Sequence, residues 1–195
     1  MDSDQLVIEL FHSSIDVTMR TLDEQALKVG ECGSLMVQCL LNEHKILCCG
    51  EGASGALAQI FCSHLLNRFN YERPGLHAFN LSADATTLTA LTADNGFNDI
   101  FANQIRALGQ SGDLLLVISN DDTSGTTLEA IKAAHDRDML VICLSNQSAN
   151  DFSALLQPED IELPIPSDSK ARITEAQLQI VNYFSELIDH HLFGS

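Results

Sequence analysis

From Lys45 onward the chain repeats one pattern, a short apolar run followed by a stretch whose apolar residues fall at helical spacing. The runs "KILCCG", "LHAFNLS", "DLLLVIS", "MLVICLS" and "DIELPI" read as five strands. They read as uniformly apolar rather than alternating, which requires cover on both faces of the sheet. Between them, 54–69, "TTLTALTA", "DIFANQIRALG" and "GTTLEAIKAAHD" read as helices, "FSALL" as a short helical turn, and 170–192 as a closing helix. Strands that alternate with helices in this way predict an α/β fold, a three-layer αβα sandwich around a five-stranded parallel sheet.

Two more helices are expected before the first strand. One lies in 4–28, with Leu6, Leu10, Ile15, Met19 and Leu22 on a stripe, and the other is "SLMVQCLLN" at 34–42, after Gly30 and Gly33. Within 195 residues no linker-like stretch separates two cores. The expectation is a single domain, with N-terminal helices in 1–43 and a doubly wound core in 44–195.

Charge and cysteine content narrow the function. The 27 acidic and 10 basic residues give a formal net charge of -17. That balance opposes direct nucleic-acid binding, which needs a Lys/Arg footprint. No apolar run approaches the length of a membrane span, and "MDSDQLVIELF" lacks the basic region of a signal peptide. A cytoplasmic protein is expected. Cys32, Cys39, Cys48, Cys49, Cys62 and Cys143 lie in apolar runs without a Cys-x-x-Cys pair, so buried free thiols are expected. Cys48 and Cys49 are neighbours on a strand and should face opposite sides of the sheet.

Ligands of doubly wound folds bind beyond the carboxyl ends of the strands, where helix N-termini and loop N–H groups are exposed. Two loops qualify. "GEGASGA" (50–56) places Gly50, Gly52 and Gly55 around Glu51 and Ser54, a weak signal by itself. "SNDDTSGTT" (119–127) adds Ser119, Asn120, Asp121, Asp122, Thr123, Ser124, Thr126 and Thr127.

With these hydroxyl-rich loops the chain resembles the sugar isomerase (SIS) domain family over nearly its whole length. The resemblance is to the branch that holds phosphoheptose isomerase (GmhA) and the non-catalytic, initiator-associating DiaA proteins. It rests on "LLNEHKILCCGEGASGALAQ", "LLNRFNYERPGL", "DIFANQIRALGQSGDLLLVIS", "AIKAAHDRDMLVICL", "IPSDSKARITEAQ" and "LIDHHLFGS". It implies a flavodoxin-like SIS domain whose two loops hold the phosphate of a phosphosugar.

The resemblance also locates the isomerase machinery. The family's His and Glu on the helix after the first loop fall on Ile60 and His64, and its Gln and His on the last helix fall on Thr174 and Asn182. All four identities differ. Ile cannot ligate a metal, and Thr and Asn are poor zinc ligands. His64 is left as a lone replacement base. No catalytic set and no metal or other cofactor is therefore expected here, zinc being implied only if the chain is an isomerase.

The loops depart from the family too. Glu51 stands where the family has Asn, and Asp121 and Asp122 sit in the phosphate loop. Each such carboxylate would disfavour a nearby phosphate by about 1–4 kcal/mol, against about 0.3–1 kcal/mol from a helix N-terminus. The acidic loop could take a cation or a neutral or amino sugar, or cap its own helix. Weakened or lost phosphosugar binding is the expectation.

What the DiaA-like reading implies is a homotetramer that binds a DnaA-type initiator protein and promotes its assembly at the chromosomal origin. Leu192 and Phe193 in "LIDHHLFGS" are its partner-binding residues. The alternative is a divergent phosphoheptose isomerase, converting sedoheptulose 7-phosphate to heptose 7-phosphate for lipopolysaccharide synthesis. A phosphosugar-sensing binding protein is a third reading, and it needs Ser54, Ser119 and Ser124 to be accessible.

Overall fold

The computed structural model describes residues 2–120, 124–148 and 150–194. Asp121, Asp122 and Thr123, three of the loop residues singled out above, lie outside the described residues.

Five strands form one sheet: β1 (Ile46–Cys49), β2 (Ala78–Asn80), β3 (Leu114–Ile118), β4 (Leu140–Asn146) and β5 (Ile161–Ile165). Their order is β2-β1-β3-β4-β5 and every pairing is parallel. Among the described residues seven α-helices accompany them, α1 (Ser3–Leu41), α2 (Ala53–Leu66), α3 (Ala85–Asn95), α4 (Ile100–Leu108), α5 (Gly125–His135), α6 (Asn150–Leu155) and α7 (Lys170–Phe193), with a short 3-10 turn at Phe97–Asp99.

Side chains alternate across the central strands and feed two cores. Ile46, Cys48, Leu114, Leu116 and Leu144 face the side covered by α1, α2 and α7. Leu47, Cys49, Leu115, Val117 and Cys143 face α4, α5 and Phe152. Cys48 and Cys49 thus fall on opposite faces, as strand geometry requires. All six cysteines are free and buried. Burial pushes the Cys32 and Cys39 thiols up to about 12, which makes them packing groups rather than nucleophiles.

Two expectations need correction. The edge strands are less buried than the central ones: β5 alternates buried and half-buried residues, and Phe79 of β2 is exposed. Each of these strands has a neighbour on one side only. The expected pair of N-terminal helices is a single 39-residue helix. Gly30 and Gly33 do not interrupt it, although a mid-helix glycine costs about 1 kcal/mol. A Cβ on Gly33 would lie 2.8 Å from Leu187 Cδ1, so this glycine lets α1 pack closely on α7. Gln25 and Lys28 then tie α1 to the backbone of β5 through the carbonyls of Pro164 and Glu162.

Neighbours in the sheet are joined at the N-terminal ends of β1 and β3 by a buried carboxylate. Asp113 accepts hydrogen bonds from the Lys45 backbone N–H (3.0 Å), Lys45 Nζ (2.5 Å) and the Gln110 N–H (2.8 Å). At the other end of the same two strands the strand order reverses direction. A doubly wound sheet opens a crevice at such a switch point.

Candidate functional site

The loop from β1 to α2 is shaped by its glycines. A Cβ on Gly50 would meet the backbone of Ser54 at 2.7 Å and the Ile118 carbonyl at 2.8 Å. Gly52 has φ +54°, a conformation that favours glycine. The turn therefore lies against the end of β3, which brings Glu51 and Ser54 beside Ser119 and Asn120.

Together they line a cleft of about 440 Å³, with Gly52, Ala53, Lys170, Ala171 and Thr174 completing the wall. The N-termini of α2 and α7 open onto it. On the far side of Glu51 a second hollow of about 350 Å³ is lined by Gln59, Asn80, Ser82 and Phe97 among others.

Several predicted site residues meet in a way the sequence did not reveal. Glu51 reaches from the first loop to the start of α5. Its Oε2 accepts from Ser124 Oγ (2.9 Å) and its Oε1 from Thr126 Oγ1 (2.8 Å), and the two hydroxyl oxygens lie 2.8 Å apart. Thr127 Oγ1 donates to the Ser124 carbonyl (3.0 Å). Ser124 precedes α5 without capping it, because its hydroxyl turns to Glu51. The self-capping predicted for the loop aspartates lies outside the described residues.

On the opposite wall, Asn120 Nδ2 donates to Thr174 Oγ1 (2.8 Å), and Thr174 Oγ1 donates to the Lys170 carbonyl (2.9 Å). Gln177 Nε2 donates to the Ser119 carbonyl (2.9 Å). Ser54 and Ser119 are both buried at the base of the cleft.

Lys170 was missed from sequence. Its signal is an unfavourable position: it is the first residue of α7, where a cation opposes the helix dipole, and that turn has no acidic residue. A lysine at that position is suited to an anion in the cleft. Thr126 was noticed only as one more hydroxyl, because its pairing with Glu51 spans 75 positions.

The four positions matched to the isomerase machinery do not form a metal site. Ile60 packs against the core on the α1, α2 and α7 side. His64 has Nδ1 3.1 Å from Ser185 Oγ and its ring 4.6 Å from that of Phe69. Burial holds the His64 imidazole below its ordinary pKa; Asp189 pulls the other way and Arg73 adds to the lowering. Thr174 is spent on Asn120 and Lys170, and Asn182 is half-buried on α7. With one imidazole and no carboxylate at these positions, they do not fit zinc. Among the described residues no group of three His, Cys, Asp or Glu could hold a metal ion.

The terminal pair also separates. Leu192 packs against the core, whereas Phe193 is 42% exposed. The Arg73 guanidinium carbon lies 5.7 Å from the Phe193 ring centroid. Arg73 itself is fully buried, bonding Asp189 Oδ1 (2.6 Å) and the carbonyls of Leu65 (3.0 Å) and His64 (2.8 Å). Phe193 therefore covers a buried ion pair.

Comparison with known proteins places this geometry. The SIS domain family matches residues 9–146. A phosphoheptose isomerase of Chromohalobacter salexigens is 44% identical over 195 residues, covering 100% of this chain and 99% of the relative. One from Alkalilimnicola ehrlichii is 43% identical, with 100% and 99% covered. Among solved structures, a phosphoheptose isomerase from Francisella tularensis superposes with TM-score 0.92 at 38% identity, covering 97% of this chain and all of that one. Phosphoheptose isomerase GmhA from Neisseria gonorrhoeae gives 0.91 at 35%, covering 96% and 99%.

These relatives overturn the expectation of a non-catalytic protein that promotes replication initiation, in favour of the isomerase alternative. The similarity to phosphoheptose isomerases covers 100% of this chain in the first two relatives. The altered identities at Ile60, His64, Thr174 and Asn182 sit in a chain that is otherwise similar to phosphoheptose isomerases from end to end. No helix among the described residues is long and apolar enough to cross a membrane. The chain belongs to the SIS-domain family, and it is similar over its full length to phosphoheptose isomerases.

Proposed function

We propose that the protein is an aldose–ketose isomerase acting on a heptose phosphate, interconverting sedoheptulose 7-phosphate and heptose 7-phosphate. The observation that carries this reading is the 41–44% identity to phosphoheptose isomerases across 94–100% of the chain. The cleft suits such a ligand. Two helix N-termini and Lys170 offer positive potential to a phosphate, and Ser54, Ser119 and Asn120 offer polar contacts to a sugar.

Isomerisation moves a proton between neighbouring carbons and needs a base beside them. Glu51 is the carboxylate among the described residues that line the cleft, and it is the group to which this reading assigns the transfer. His64 is turned onto Ser185 and is not given that role. No step is assigned to zinc.

The decisive assay incubates chelator-treated protein with sedoheptulose 7-phosphate and follows the aldose product by NMR. Product without added metal is expected. No product, with or without zinc, would sink the isomerase reading. A second reading, phosphosugar binding without turnover, is favoured by the four altered positions; its signature is saturable thermal stabilisation by sedoheptulose 7-phosphate with no conversion.

The same reading includes self-association in the cytoplasm, with no direct contact to nucleic acid or membrane. Leu6, Leu10, Phe11, Ile15, Met19 and Leu22 on α1 are each 46–67% exposed, an apolar stripe suited to other copies of the chain in a homotetramer. Light scattering at micromolar concentration checks it.

A further inference from the structure

The three hydroxyls at the start of α5 are fully committed within the protein. Each hydroxyl has one proton to donate. Those of Ser124 and Thr126 are given to the two oxygens of Glu51, which leaves the 2.8 Å approach of the two hydroxyl oxygens without a proton of its own, and that of Thr127 serves the Ser124 carbonyl. Thr126 and Thr127 are buried besides. Among the described residues at the start of α5, an incoming phosphate finds no hydroxyl donor unless Glu51 leaves, and it meets a carboxylate in its place. The positive groups left on the cleft are Lys170 and the N-terminus of α7 on the opposite wall, while the N-terminus of α2 and Ser54 lie beside Glu51 on its own loop.

We propose that Glu51 is the specificity-determining residue of the cleft, an internal anion that occupies the hydroxyl pair of Ser124 and Thr126 and confines a ligand's phosphate to the Lys170 wall. The inference rests on assigning the cleft to a phosphorylated sugar. It goes beyond that assignment by stating which donors the phosphate uses and which it is denied. A ligand with one phosphate and an uncharged sugar end fits this division: the phosphate meets Lys170, and a hydroxyl of the sugar meets Glu51. A ligand with anionic groups at both ends, such as a bisphosphate, is rejected.

Calorimetric titration with inorganic phosphate, on the full-length protein and its Glu51→Gln and Lys170→Gln variants, tests the proposal. Glu51→Gln removes the charge and leaves the hydroxyl pair only a neutral amide that a phosphate can displace, so phosphate should bind about tenfold more tightly or better. Lys170→Gln should bind it about tenfold more weakly than the parent. An equal or weaker affinity in Glu51→Gln, including no binding by either protein, overturns the proposal. If Glu51→Gln melts early, Glu51→Asn, which also removes the charge, is read by the same criterion.

Turnover separates this inference from the isomerase reading. Tighter phosphate binding by Glu51→Gln, with no conversion of sedoheptulose 7-phosphate by the parent, would remove the isomerase and keep the internal anion. Conversion by the parent with unchanged phosphate affinity in Glu51→Gln would do the reverse. If both hold, Glu51→Gln shows a split, lower kcat with tighter phosphate binding, that a merely structural residue would not produce.

Discussion

Two carboxylates sit at opposite ends of the β1–β3 pair and are treated in opposite ways. Asp113, below the strands, is 1% exposed and meets an ammonium group and two backbone N–H groups. Glu51, above them, is half-buried, meets two neutral hydroxyls, and borders an open cleft. Removing one member of a buried, fully partnered ion pair strands the other away from water, and that loss is expensive. A carboxylate held by neutral donors at a cavity keeps its charge available to a ligand. The difference separates a carboxylate bound up in the fold from one that a ligand in the cleft can reach, although both are single acids near a strand end.

The sharpest way to break the contrast is Asp113→Ala. It strands Lys45 and the N–H groups of Lys45 and Gln110, and it should cost about 3–5 kcal/mol, read as a lower urea midpoint. Glu51→Gln should move the same midpoint by no more than about 1 kcal/mol, since an amide still accepts from one hydroxyl. Comparable losses from both would erase the distinction.

The smallest effect comes from a third charged locus, near Arg73 and Asp189. His64 is held below its ordinary pKa, so the unfolded chain binds the proton more readily than the folded one. Stability from this group is present above the unfolded pKa and falls as pH drops through it toward the folded value. His64→Gln should flatten that part of the stability–pH curve between about pH 7 and 5. An unchanged slope would mean that His64 does not feel its surroundings as described.

Much of the fold was legible because it is written in local periodicity. Uniformly apolar runs announced the central strands of a parallel sheet, and the alternation of Cys48 and Cys49 followed from strand geometry. Gly30 and Gly33 misled for a physical reason. Local propensity marks a mid-helix glycine as a break, and only the approach of Leu187 shows why α1 tolerates one. The site was legible as two loops but not as a constellation. Glu51 was read as a departure from a pattern, and Lys170 was passed over because a lysine at a helix start carries no meaning until the cleft beside it is seen.

By itself, the sequence determined the strands, the crossover helices, the switch-point loops and the family, because these depend on residues close together in the chain or on motifs read in order. Tertiary structure alone decided that Glu51 closes on Ser124 and Thr126, that Lys170 faces it across a cleft, and that His64 turns away toward Ser185. Each of these contacts joins residues tens of positions apart, and hydrogen-bond geometry at that separation is set by how the helices seat on the sheet.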